Sequence, residues 1–127
     1  VRFTTSSKGT EVRGGIKTAG MAAGEYAYHI HEKPVPASGD CMATGGHFDP
    51  HGKKGATCTK SSLDRCEVGD LSGKFGKLKV TGKERNQEVR FVHKDPTIEF
   101  RNGPTGILGR SIVVHNAAGD RIACGNI

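Results

Sequence analysis

The stretch HIHEKPVPASGDCMATGGHFDP, residues 29–50, gathers three histidines and a cysteine in a chain that has six histidines in all. His29 and His31 alternate within EYAYHIH, a run that reads as a β-strand. In a strand, Tyr26, Tyr28 and Ile30 share one face, and Ala27, His29 and His31 share the other. The apolar face belongs against a core, so the two imidazoles project together, close enough to grip one ion. His47 follows Gly45-Gly46, where the backbone can turn sharply. His115 ends the apolar run SIVVH. A bare HxH or a lone histidine is often structural, but four imidazoles from three places in the chain make a metal site. Neutral imidazoles suit copper, zinc or nickel, and the affinity order of divalent ions favours copper. Imidazole tolerates Cu(II) and Cu(I) alike, so such a site can cycle. A blue-copper site would need a thiolate, which oxidised cysteines do not supply.

The elements that must position these rings are short. The chain has 127 residues, with 19 glycines, five prolines and no tryptophan. That length suits one domain with one core, and that composition favours turns and short strands over long helices. Strands are expected over VRFTT, EVRGGIKTA, EYAYHIH, GKLKVTG, QEVRFVHK continuing into PTIEF, SIVVH and RIACG. Turn signals separate them: SSKG, PASGD, RNGPTG and NAAGD. The expectation is an all-β antiparallel sandwich or barrel of about seven or eight strands. Residues 50–70 have no strand period and form a long polar loop, and its two cysteines argue that it is ordered.

The four cysteines, Cys41, Cys58, Cys66 and Cys124, lack zinc-knuckle spacing and suggest disulfides and an oxidising compartment. Two pairs allow three connectivities. Cys58 and Cys66 are close enough to staple one loop, in which case Cys41 and Cys124 would tie an early loop to the C-terminal end. Formal net charge is +6, which attracts anions of every size. The basic residues are scattered (Lys53, Lys54, Lys74, Lys77, Arg85, Arg90, Arg110 and Arg121) and read mostly as a solvated positive surface. Neither a basic helix nor an aromatic-interleaved RNA-binding strand is present, so nucleic acid is not an expected partner. No apolar run is long enough for a membrane span. The opening VRFTTSSKGT has no signal-peptide pattern and reads as a processed or truncated start.

Taken together these segments resemble the copper/zinc superoxide dismutases. YHIHE resembles their copper-binding HxH strand. GDCMATGGHFDP resembles the segment in which a disulfide cysteine precedes the metal-bridging histidine by six residues. EVGDLSGKFGKL resembles their Val-Gly-Asp-Leu segment, and GRSIVVHNAAGDRIACG resembles their last copper histidine, active-site arginine and second disulfide cysteine. The resemblance covers nearly the whole chain after about residue 11, in order. It implies a Greek-key β-barrel or sandwich, with VRFTT as the family's second strand and the first missing. It implies copper on His29, His31, His47 and His115, Arg121 as the guide for the superoxide anion, and a Cys41–Cys124 disulfide.

Two features depart from the zinc-containing members. Of the family's zinc ligands only His47 and Asp70 have counterparts; Glu67 stands where the family has a histidine. The connection between His115 and Cys124 is only eight residues, NAAGDRIA, where those members carry a longer loop. Both departures, together with YHIHEKPVP and the CTKSSLDRC cysteine pair, resemble the copper-only dismutases of fungi and oomycetes. That branch implies a secreted, often cell-surface enzyme with one copper, no zinc, and a Cys58–Cys66 disulfide. It also implies that Glu67 substitutes for zinc by accepting the free N–H of His47, with Asp70 orienting ligands from behind. His51 leaves one alternative open, a zinc site with His47, Glu67 and Asp70. His93 reads as a plain strand residue. The rival functions are a non-enzymatic copper chaperone or buffer and a zinc-binding interaction module. The oligomeric state stays open, with a monomer among the forms allowed.

Overall fold

A computed structural model describes residues 1–6 and 9–127. It is all-β apart from short helical turns, with seven strands among the described residues. One sheet contains β1 (Arg2–Ser6), β2 (Gly9–Lys17) and β5 (Glu88–Asp95), in the order β1-β2-β5. The other contains β3 (Gly24–His31), β4 (Leu78–Val80), β6 (Ser111–His115) and β7 (Arg121–Asn126), in the order β4-β3-β6-β7. Every pairing within the two sheets is antiparallel. The sheets do not close on each other, so of the two architectures expected the sandwich is the one formed. No helix among the described residues is long and apolar enough to cross a membrane.

The core lies between the sheets. Tyr26, Tyr28 and Ile30 are buried there, as the alternation of β3 requires, and they meet Phe3, Val12 and Phe91 from the other sheet. The rings of Tyr28 and Phe91 lie 4.9 Å apart between centroids. Fully burying each large apolar side chain contributes about 1.5–3 kcal/mol. His93 lies on β5, its ring stacked 4.3 Å from that of Phe75.

Three sequence expectations need correction. PTIEF does not continue β5 as a strand. The ladder stops at Asp95, because Pro96 has no N–H to donate and the Asp95 carboxylate folds back to accept from the Thr97 amide at 2.9 Å and hydroxyl at 2.6 Å. Only an isolated bridge between Glu99 and Gly106 remains beyond it. A one-turn helix, α1 (Leu71–Phe75), also appears where no element was expected. It is too short for a periodic signature, but the Asp70 side chain caps it by accepting from the Gly73 amide at 2.9 Å. Finally, Lys74 is not part of a solvated surface. It is buried, its Nζ donating to Asp95 Oδ2 at 2.6 Å, Val68 O at 2.8 Å and Thr97 Oγ1 at 2.8 Å.

The long loop is structured by turns, a short 3-10 turn at Leu63–Arg65 and a Cys58–Cys66 disulfide. Its inner end is packed, with Cys66 and Val68 buried. The second disulfide, Cys41–Cys124, joins the 3-10 turn Cys41–Thr44 to β7. It closes a loop of 83 residues, long enough for chain entropy alone to contribute about 4.5 kcal/mol.

Candidate metal centre

Three chain segments zip together beside the end of β3. The Ile30 amide donates to Gly69 O at 2.9 Å, the Phe48 amide to Ile30 O at 2.8 Å and the Gly69 amide to Phe48 O at 2.9 Å. Gly69 is required there, since a Cβ would collide with the carbonyl of Ile30 and crowd the backbone of Phe48. The bridge between His31 and His47 continues this seam. β6 pairs with β3 so that His29 lies opposite Val113 and His115 opposite Ala27. The result brings together the four histidines singled out in the sequence: one ring nitrogen from each of His29, His31, His47 and His115 lies within 4.8 Å of all the others.

The hydrogen bonds identify which nitrogens converge. His31 Nδ1 donates to Gly45 O at 2.9 Å and His115 Nδ1 to Gly119 O at 3.2 Å. His47 Nδ1 meets Glu67 Oε1 at 2.8 Å. Each of these three rings therefore keeps its proton on Nδ1 and turns an Nε2 lone pair inward. His31 Nε2 and His115 Nε2 are 3.2 Å apart; with both protons engaged elsewhere, two lone pairs face each other, a repulsion that a cation relieves. His29 is reversed. Its Nε2 lies 3.3 Å from Ser72 Oγ and 3.5 Å from Asp70 Oδ1, while its Nδ1 is buried without any partner. A buried, unpaired imidazole nitrogen costs free energy unless something coordinates it. The donor set of four neutral imidazoles fits a borderline-soft transition-metal cation.

Three of the rings are held neutral as well as oriented. Burial, helped by the other three histidines, lowers the pKa of His29 to about 3. Burial lowers that of His31 to about 4, and it also lowers that of His115. Imidazole binds a metal through its neutral form, so these rings need shed no proton to do so at neutral pH.

Arg121 is brought beside the rings by a β-bulge. Val114 pairs with Ala123, but His115 pairs with Arg121, leaving Ile122 as the extra residue. Were the ladder to run on without a bulge, His115 would face Ile122 and Arg121 would point to the other side of the sheet. Arg121 Nη1 donates to Cys41 O and Thr44 Oγ1, both at 3.0 Å. Cys41 is itself tied to β7 by the disulfide to Cys124, so the guanidinium is anchored at both ends. An open cleft of about 690 Å³ runs over this corner, lined among others by His47, Lys54, Glu67, Arg110 and Arg121.

The long loop carries no second metal cluster among the described residues: His51 is exposed and joins no group of ligand atoms. Sequence reasoning missed Ser72, which touches His29, and Thr44, which seats Arg121. Ser72 lies in the unforeseen helix turn. Thr44 lies midway between Cys41 and His47, and no spacing rule points to it.

A family profile, copper/zinc superoxide dismutase (SODC), matches residues 1–127. The chain belongs to the copper/zinc superoxide dismutase family. It is 36% identical, over its full length, to the cell surface Cu-only superoxide dismutase 5 of Candida albicans, and it spans 53% of that protein. It is 43% identical, over 79% of its length, to a cell surface Cu-only superoxide dismutase of Arthroderma benhamiae, of which it spans 27%. The chain thus spans about half, or less, of these curated relatives. The solved structure of superoxide dismutase 5 from Candida albicans, with Cu(II), superposes with a TM-score of 0.81 at 34% identity, covering 98% of this chain and 76% of that one.

Proposed function

We propose that this chain is a copper-only superoxide dismutase domain, converting two superoxide anions and two protons into dioxygen and hydrogen peroxide. The observation that carries the reading is the convergence of four ring nitrogens, three of them with their protons committed outward and the fourth buried without a partner. His29, His31, His47 and His115 would hold one copper, which supplies one-electron cycling between Cu(II) and Cu(I) when bound. Glu67 holds the Nδ1 proton of His47 and fixes that ring's tautomer and plane, the task zinc performs in two-metal members. Asp70 and Ser72 engage the far nitrogen of His29 and leave the near one free. Arg121 offers an incoming anion a fixed guanidinium at the mouth of the site. Its attraction is electrostatic, so added salt should slow capture.

Residues 1–127 act as one domain on this reading, with superoxide as the substrate and nucleic acid excluded as a partner. The disulfides suit an oxidising compartment, and two relatives are named cell-surface proteins, so we place the protein outside the cell or on its surface. The test is metal analysis joined to superoxide decay on copper-reconstituted protein. One copper and no zinc per chain, with copper-dependent decay, is expected. Zinc uptake without copper, or copper uptake without turnover, would sink the reading.

A further inference from the structure

We infer that Arg110 is a positioning residue that holds the His31 and His47 segments in register for the metal. Its guanidinium is half-buried on one wall of the cleft. Nη1 donates at 3.0 Å to the carbonyl of Glu32, the residue after His31. The ring of Phe48, the residue after His47, lies beneath the guanidinium carbon at 3.9 Å from its centroid. Nε donates to Gly106 O at 2.7 Å, and Nη2 to Gly103 O at 3.1 Å and Pro104 O at 3.3 Å. One planar cation therefore touches two ligand-bearing segments, each at the residue next to its ligand, and binds both to the loop 103–106.

A third ligand strand is tied in covalently. Arg110 directly precedes β6, which ends in His115, and Ser111 donates from Oγ to Lys33 O at 2.6 Å. The clamp thus spans the segments that carry three of the four imidazoles. Its geometry depends on the guanidinium fork. A lysine ammonium keeps the charge but offers a single nitrogen, which cannot serve four carbonyls spread around a plane. Arg110 is hydrogen-bonded to no ring nitrogen, so it acts through the backbone of its neighbours.

This inference rests on the copper reading above. The experiment compares the parent protein with Arg110→Lys and Arg110→Gln, titrating Cu(II) against a competing chelator and recording the Cu(II) electron paramagnetic resonance spectrum. Both variants should lose copper affinity by about 10–100-fold, the scale of a lost outer-shell contact, with similarly altered spectra. A lysine variant that matches the parent while only the glutamine variant falls would mean that charge, not the fork, matters, and would overturn the inference. Parent-like affinity and spectra in both would overturn it as well. Should neither variant fold, Phe48→Leu decides: it removes the ring under the guanidinium and leaves the carbonyls, so a smaller loss in the same direction supports the clamp and no change refutes it. A parent that takes up no copper sinks the copper reading and this inference together, whereas a copper-loaded parent matched by its variants sinks this inference alone.

Discussion

Two buried polar clusters lie in this sandwich, and they are finished in opposite ways. Lys74 and Asp95 are fully buried, 2.6 Å apart, and their remaining hydrogen-bonding capacity is met by Val68 and Thr97. Nothing is left over for a ligand. The histidine cluster is incomplete by the same accounting, with two lone pairs facing each other at 3.2 Å and the buried Nδ1 of His29 unpartnered. The satisfied pair fastens α1 and the Val68 carbonyl to the end of β5, next to the segment that carries Glu67 and Asp70. The unsatisfied rings are held ready for a cation. A polar cluster buried with its partners supports the fold, and one whose ring nitrogens converge without them points to a cation.

Breaking the satisfied cluster should do the most damage. Lys74→Met leaves Asp95 buried without its partner, and the stability to urea should fall by about 3–5 kcal/mol; a loss below 1 kcal/mol would show that the pair is not the fastening described. On the other side of the comparison, Glu67→Ala frees the His47 ring and should cost about 10–100-fold in copper affinity or turnover while leaving the fold intact. Unchanged copper content and rate in that variant would reject the role given to Glu67. Arg121→Ala should lower the rate about tenfold and flatten its dependence on ionic strength, if focusing of the anion is at work. An identical rate at every salt concentration would remove that claim.

The neutral rings give the comparison a pH signature. In the folded metal-free protein His29 and His31 titrate at about 3 and about 4, against about 6.5 when unfolded. Between those values the unfolded chain binds more protons than the folded one, so stability falls as pH falls. Urea midpoints of the metal-free protein should therefore be level above about pH 7 and decline from about pH 6.5 downward; a midpoint that holds steady to pH 4 would contradict the neutral, buried rings. The smallest effect is expected at Tyr28, whose buried hydroxyl also has no partner. Tyr28→Phe removes an unsatisfied group and should leave stability unchanged or raise it by up to about 1 kcal/mol. A marked loss in thermal unfolding would mean that the hydroxyl does have a partner.

The histidine cluster was legible because its signals are local. Two-residue parity within EYAYHIH assigns His29 and His31 to one face of a strand whatever the rest of the chain does, and a Gly-Gly turn marks His47. The eight-residue spacing of Cys58 and Cys66 admits a short staple on its own. Other features are tertiary. Ser72 reaches His29 only because α1 is laid against β3, and a five-residue helix leaves no periodic trace. Lys74 gives no local sign of burial, because a lysine next to a glycine looks solvated until Asp95, 21 residues on, is folded over it. PTIEF reads as a strand because Ile98 and Phe100 alternate with polar residues in it; the proline that opens it carries more weight than the alternation.

The extra residue Ile122, between Arg121 and Ala123, has a consequence for anyone who edits this hairpin. Strand parity works like a two-state code, and Ile122 resets it just before the guanidinium is read. Removing Ile122 would set Arg121 directly beside Ala123, still opposite His115 and on the same face, so the guanidinium would keep its side of the sheet while the ladder lost its bulge. Engineering of this hairpin can therefore delete the bulge residue without turning Arg121 away, whereas smoothing the bulge with Ile122 kept would turn it.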